Sequence, residues 1–215
     1  MSLGADEVTR PAPAVDGRTA RGERTRRALA QALIDLLEEG DPQPTARRVA
    51  ERAGVSLRSV FHHFENLETL LGAAVAIQSE RHWGLIRSIP VNLPVEVRIS
   101  RLVEERAGLF EAISPVRRYG VRAGAGSPAI GKMIASTRQV LRLRAQAIFA
   151  PEFETLPADE VLTHQDALDV ATSWETWEQL RQYSGCSPES ARRAMELLLT
   201  SILAPLAAPP TGGRA

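Results

Sequence analysis

The stretch TARRVAERAGVSLRSVFHHF, residues 45–64, reads as two short helices joined by a tight turn. Thr45 can cap a helix that runs through Ala53, its side-chain oxygen taking an otherwise unpaired backbone N–H. Val49, Ala50 and Ala53 form the inner face of that helix, and the small Ala50 lets a second helix cross it closely. Gly54 falls where the chain reverses, a position that often requires positive φ, and Val55 fills the corner before Ser56 caps the next helix. Val60 and Phe64 anchor the second helix from inside. Its outer face carries Arg58, Ser59, His62 and His63, which can hydrogen-bond to base edges or phosphates.

A helical hairpin of alanine, glycine and valine also arises by chance in an alanine-rich chain, so the flanks decide. Before the motif, Ala28, Leu29, Ala32, Leu33, Leu36 and Leu37 repeat at three and four, which predicts an amphipathic helix over 21–39 ended by Gly40. Asp41-Pro42-Gln43-Pro44 then forms a turn. After the motif, the phrase FENLETLL (64–71) starts a new helix. Apolar spacing and proline or glycine punctuation predict helices over 67–87, 95–113, 128–149, 158–183 and 188–206. No run alternates with period two for long enough to argue a strand, so the fold class is all-α, with about nine helices and no internal repeat.

Composition sets looser bounds. The 215 residues carry 26 basic and 26 acidic side chains, a formal net charge of zero, and 44% are apolar, enough for a core. The balance is uneven, because residues 18–64 hold nine arginines against six acids. All the basic residues except Lys132 are arginine, which a GC-rich coding sequence explains better than any demand for bidentate phosphate contacts. Cys186 stands alone, so neither an internal disulfide nor a thiolate metal cluster forms, in keeping with a reducing cytoplasm. No segment has the roughly 18 consecutive apolar residues of a membrane span, and the N-terminus lacks a signal-peptide core, so a cytoplasmic location away from membranes is expected.

The motif with its flanks resembles the TetR/AcrR family of bacterial one-component regulators, strongly over residues 21–72 and more weakly over the rest, where WETWEQLRQYSGCSPESA (174–191) adds to it. The pattern is a first helix ending in Gly40, then Thr45, Ala50, Gly54-Val55-Ser56, the aromatic Phe61, and Phe64 before the fourth helix. The resemblance implies a three-helix DNA-binding domain with a helix-turn-helix, and a C-terminal helical domain that binds a small-molecule effector and forms a homodimer through the last two long helices. It further implies a palindromic double-stranded DNA operator, repression, and release by the effector. The expected division is a flexible arm at 1–20, the DNA-binding domain at 21–66, the effector and dimerisation domain at 67–208, and a flexible tail at 209–215.

Three positions depart from the family pattern. Leu57 and Leu67 stand where lysine is usual and Phe61 where tyrosine is usual, each a group that normally reaches a phosphate. Arg21, Arg24 and Arg58 are the candidate substitutes, and the full set of candidate DNA contacts is Arg21, Arg24, Thr45, Ser56, Leu57, Arg58, Ser59, Phe61, His62 and His63. If these do not compensate, the alternative is a helical interaction protein of the same fold with weakened or lost DNA binding. Candidate effector contacts are the large aromatics Trp83, Phe110, Tyr119, Trp174 and Trp177, although aromatics at helical spacing are more often core or interface.

His62 and His63 with Glu65 invite a metal reading, but neighbouring histidines point different ways on a helix and no third ligand is evident, so neither metal nor cofactor is expected. His82 and His164 read as surface or satisfied core histidines. The phosphate-cradling glycine loop, HExxH and GxSxG are all absent, so no enzyme activity is expected.

Overall fold

The computed structural model describes residues 17–123, 127–154 and 156–207. Among these there are ten α-helices and no strand: α1 (Gly17–Glu38), α2 (Ala46–Ala53), α3 (Leu57–His63), α4 (Leu67–His82), α5 (Val95–Ala123), α6 (Pro128–Ile148), α7 (Ala150–Phe153), α8 (Ala158–Ala171), α9 (Trp174–Glu178) and α10 (Pro188–Ala207). The all-α expectation therefore holds.

Two apolar clusters organise them. The N-terminal one joins Leu29, Leu33, Ile34 and Leu37 of α1 to Val49, Ala50, Val60 and Phe64 of the helix-turn-helix and to Leu70, Leu71 and Ala74 of α4. The C-terminal one gathers Leu102, Val103 and Phe110 of α5 with Ile148, Phe149, Leu168, Trp177, Met195 and Leu199. Burial of each large aliphatic side chain contributes about 1.5–3 kcal/mol, so these clusters dominate the stability of the two halves. Helix α5 belongs to both, because Val116 and Tyr119 near its C-terminus enter the N-terminal cluster.

That continuity corrects the helix expected over 95–113. Pro115 lies inside α5, which runs to Ala123. An internal proline removes one backbone hydrogen bond and costs about 3 kcal/mol. Here the fully buried Phe110 before it and Val116 after it pack into different cores, and this tertiary packing outweighs the local cost. Ser114 Oγ also donates to the Phe110 carbonyl at 2.6 Å.

Other boundaries shift too. Helix α1 begins at Gly17, so residues 17–20 are helical rather than part of an arm. The remainder of the expected arm and the tail at 209–215 lie outside the described residues. Helix α4 ends at His82 in a 3-10 turn, Trp83–Leu85. The long helix expected over 158–183 breaks where Ser173 caps α9, its Oγ accepting from Thr176 N–H at 3.1 Å. Helix α9 then runs on into a π-helical turn, Gln179–Tyr183. The four-residue α7 had no periodicity to betray it.

Ion pairs built on buried carboxylates knit the C-terminal half. Arg98, 4% exposed, forks onto Glu152, with Nη1 to Oε2 at 2.9 Å, and also donates to the carbonyls of Leu93 and Ile148. Arg144 pairs with Glu105 at 2.5 Å, and Asp169 takes Arg138 at 2.9 Å and Arg142 at 3.7 Å. No helix of the described residues is long and apolar enough to cross a membrane.

Candidate nucleic-acid interface and cavity

The helix-turn-helix is closed by its own side chains. Thr45 is extended, φ −85° and ψ 157°, and its hydroxyl accepts from Arg48 N–H at 3.3 Å. Gly54 is left-handed, φ 67° and ψ 31°, a conformation that costs an L-residue about 1–2 kcal/mol. The Val55 N–H then returns to the Ala50 carbonyl at 3.0 Å. Ser56 caps α3, its Oγ accepting from Ser59 N–H at 3.2 Å and lying 2.9 Å from Ser59 Oγ. Thus Thr45 and Ser56 both serve as caps, and Val60 and Phe64 hold α3 against the core at 2% exposure each.

The opposite face of α3 is open. Leu57, Arg58, Phe61 and His62 are exposed and Ser59 is half-buried. Phe61 is 58% exposed, high for a phenylalanine, and Leu57 is 38% exposed. His63 turns the other way: a Cβ on Gly22 of α1 would lie 3.9 Å from its Cε1, and its carbonyl accepts from Arg26 Nη1 at 2.8 Å. These contacts set the first turns of α1, which carry the exposed Arg21 and Arg24, beside the C-terminal end of α3. Among the described residues no ion pair engages Arg21, Arg24, Arg47 or Arg58, whereas Arg27, Arg48 and Arg52 pair with Glu80, Asp41 and Glu39. Arg47, on the first turn of α2, was not among the expected contacts; lack of a carboxylate partner marks it out, and only the fold reveals that.

A cavity of about 280 Å³ lies between α4, α5 and α6. Apolar side chains dominate it, among them Val75, Ile113, Val116, Met133 and Ile134, with polar groups from Gln78, Ser79, His82, Arg117, Ser136 and Thr137. Two polar atoms of these residues, His82 Nε2 and Arg117 Nε, are buried with no hydrogen-bond partner among the described residues. Burial, and next the neighbouring Arg81, draw the His82 pKa below its ordinary value.

None of the described aromatic candidates lines this cavity. Phe110, Trp174 and Trp177 belong to the C-terminal core, where Trp174 Nε1 donates to Ser114 Oγ at 3.0 Å and Trp177 Nε1 to Glu111 Oε1 at 2.9 Å. Both indole N–H groups are thereby satisfied inside the fold. Tyr119 faces instead the turn before α2, lining a separate recess with Pro42, Pro44 and Leu71. The side chain of Trp83 lies outside the described residues. The cavity was hidden in part because Ile113, Val116, Arg117 and Gly120 of its lining sit on the part of α5 around and beyond Pro115, where the sequence suggests a stop.

No protein-family model matches the chain, and no curated protein matches its sequence. Solved structures do match. A transcriptional regulator from Rhodococcus sp. Rha1 aligns over 86% of this chain and 99% of its own at TM-score 0.66 and 21% identity. A TetR-family transcriptional regulator from Streptomyces coelicolor aligns over 86% and 82% at TM-score 0.64 and 19% identity. A third, assigned to the TetR family, from Mesorhizobium loti, aligns over 86% and 97% at TM-score 0.52 and 16% identity. With its capped helix-turn-helix packed on a longer helical body, the chain therefore has the fold of TetR-family transcriptional regulators.

Proposed function

We propose that this protein is a TetR-family regulator that binds a palindromic operator as a homodimer and is released from it by a small molecule. The observation that carries the reading is the open face of α3, where Arg58, Ser59 and His62 stand on a helix whose buried side is fully committed to the core. Arg21, Arg24 and Arg47, without carboxylate partners among the described residues, supply phosphate-binding charge beside it. Thr45 and Ser56 hold helix N-termini whose remaining N–H groups suit phosphate oxygens.

The dimer forms through α8 and α10, which pack on each other and expose Leu162, Leu197 and Leu198. It sets two recognition helices about 35 Å apart, one turn of DNA. The effector acts through α4 and α5. Val75 and His82 face the cavity from the same helix whose Leu70, Leu71 and Ala74 pack in the N-terminal core, and Val116 belongs to both cavity and core. Arg122, near the end of α5, donates to the Pro42 carbonyl in the turn before α2 at 3.0 Å. A ligand that prefers one spacing of α4 and α5 thereby shifts the population of DNA-competent dimers.

A second reading, an interaction module that no longer binds DNA, draws on the exposed Leu57 and Phe61 in place of phosphate-reaching groups. The Arg58→Ala, Ser59→Ala double variant separates the two in an electrophoretic shift on the DNA upstream of the protein's own gene. The regulator reading expects salt-sensitive binding by the wild type, lost in the variant while light scattering still reports a dimer. An interaction module would give no shift with either protein.

A further inference from the structure

The lining of the cavity between α4, α5 and α6 is chemically one-sided. Among the described residues no acidic side chain lines it, and its one permanent cation is Arg117. That side chain is 9% exposed and held from outside: Nη2 donates to Glu175 Oε1 at 3.0 Å, and the guanidinium lies 4.8 Å from the centroid of the Trp174 ring. Glu175 is itself half exposed, so it takes Arg117 on the solvent side. Nε–H, which can only donate, is buried with no partner among the described residues. A buried donor left unsatisfied is costly, and a charged one more so.

We infer, resting on the effector reading above, that the cavity binds a small apolar monocarboxylic acid as its anion. The carboxylate accepts from Arg117 Nε, and the hydrocarbon body lies against Val75, Ile113, Met133 and Ile134. His82, whose Nε2 is also buried without a partner among the described residues, supplies the second polar point. An amine would find no counter-charge among the lining residues, and a purely apolar ligand would leave Arg117 Nε without an acceptor. The volume sits at the small end of ligand pockets, which suits a chain or ring rather than a fused polycycle.

Titration calorimetry of the full chain with octanoate, octan-1-ol and octylamine tests this without DNA. The expected order is octanoate at least tenfold tighter than octan-1-ol, with no measurable binding of octylamine. Arg117→Met should bring octanoate down to the affinity of the alcohol, and Val75→Phe, which fills the cavity and keeps the cation, should weaken both. If Arg117→Met does not fold, the wild-type acid-to-alcohol ratio and Val75→Phe still decide. Equal affinity for acid and alcohol, a preference for the amine, binding unaffected by Val75→Phe, or no binding at all would each overturn the inference. Operator binding is read separately by gel shift, so failure of the regulator reading and failure of the ligand assignment give different results.

Discussion

The guanidinium of Arg26 lies 4.3 Å from the centroid of the Phe64 ring, while its Nη1 donates to the carbonyl of His63. One side chain of α1 thus fixes both the last residue of α3 and the aromatic that follows it. A partly buried cation–π contact is worth about 0.5–2 kcal/mol and a charge-assisted hydrogen bond about 1.5–3 kcal/mol, with overlap between them. Arg26→Ala is expected to lower the unfolding free energy by about 2 kcal/mol in a denaturant titration. It should also weaken operator binding while leaving the salt slope unchanged, because Arg26 is committed inside the fold. Arg58→Ala should instead reduce the slope by about one.

Arg106 and Arg98 are both buried arginines, and they should respond oppositely to removal. Burial draws the Arg106 pKa down to about 10, so it stays charged at neutral pH. It donates one bond, to the Leu141 carbonyl at 2.7 Å, and its Nε and Nη1 have no partner among the described residues. Among the described residues neither nearby carboxylate is paired with it: Glu105 has Arg144, and Asp169 has Arg138 and Arg142. Arg106→Met is therefore expected to leave thermal stability unchanged or raise it by about 1 kcal/mol or more. Arg98→Met removes the fork onto Glu152 together with the bonds to the Leu93 and Ile148 carbonyls, and should cost about 3–5 kcal/mol. Paired calorimetric scans compare the two, and a large loss in the first variant would refute the accounting.

His82 makes the stability depend on pH in a definite direction. Burial disfavours its charged form, Arg81 adds to this and Glu38 partly opposes it. Arg117 of α5 shares its cavity. Above the unfolded value of 6.5 neither state is protonated and the group contributes no pH dependence. As pH falls through that value the unfolded chain gains a proton that the folded chain resists, so stability drops. His82→Gln should flatten the difference in midpoint between pH 7.5 and pH 5.5; an identical drop in wild type and variant would show that His82 is not the group responsible.

Much of the N-terminal half was legible because its determinants are local. Gly54 takes positive φ, Thr45 and Ser56 cap, and Ala50 and Val60 face inward, all consequences of residue type at fixed spacing. The start of α1 was misread because Gly17 and Gly22 weaken local propensity, whereas the packing of Gly22 and Arg26 on His63 and Phe64 is a tertiary contact. Pro115 misled for the same reason: the two cores that keep α5 helical through it come from residues far away in the chain. The cavity was invisible from composition. Large aromatics draw attention, yet Trp174 and Trp177 are satisfied in the core, and the lining groups His82 Nε2 and Arg117 Nε stand out only because they have no partner among the described residues.

Selection of duplexes from a randomised pool by the full chain at low salt addresses the DNA-binding role most directly. Enrichment of an inverted repeat with half-sites about one helical turn apart, or a multiple of it, abolished when Arg58 and Ser59 are both alanine, is the expected outcome. A pool that stays random, or one enriched equally by the double variant, would contradict it.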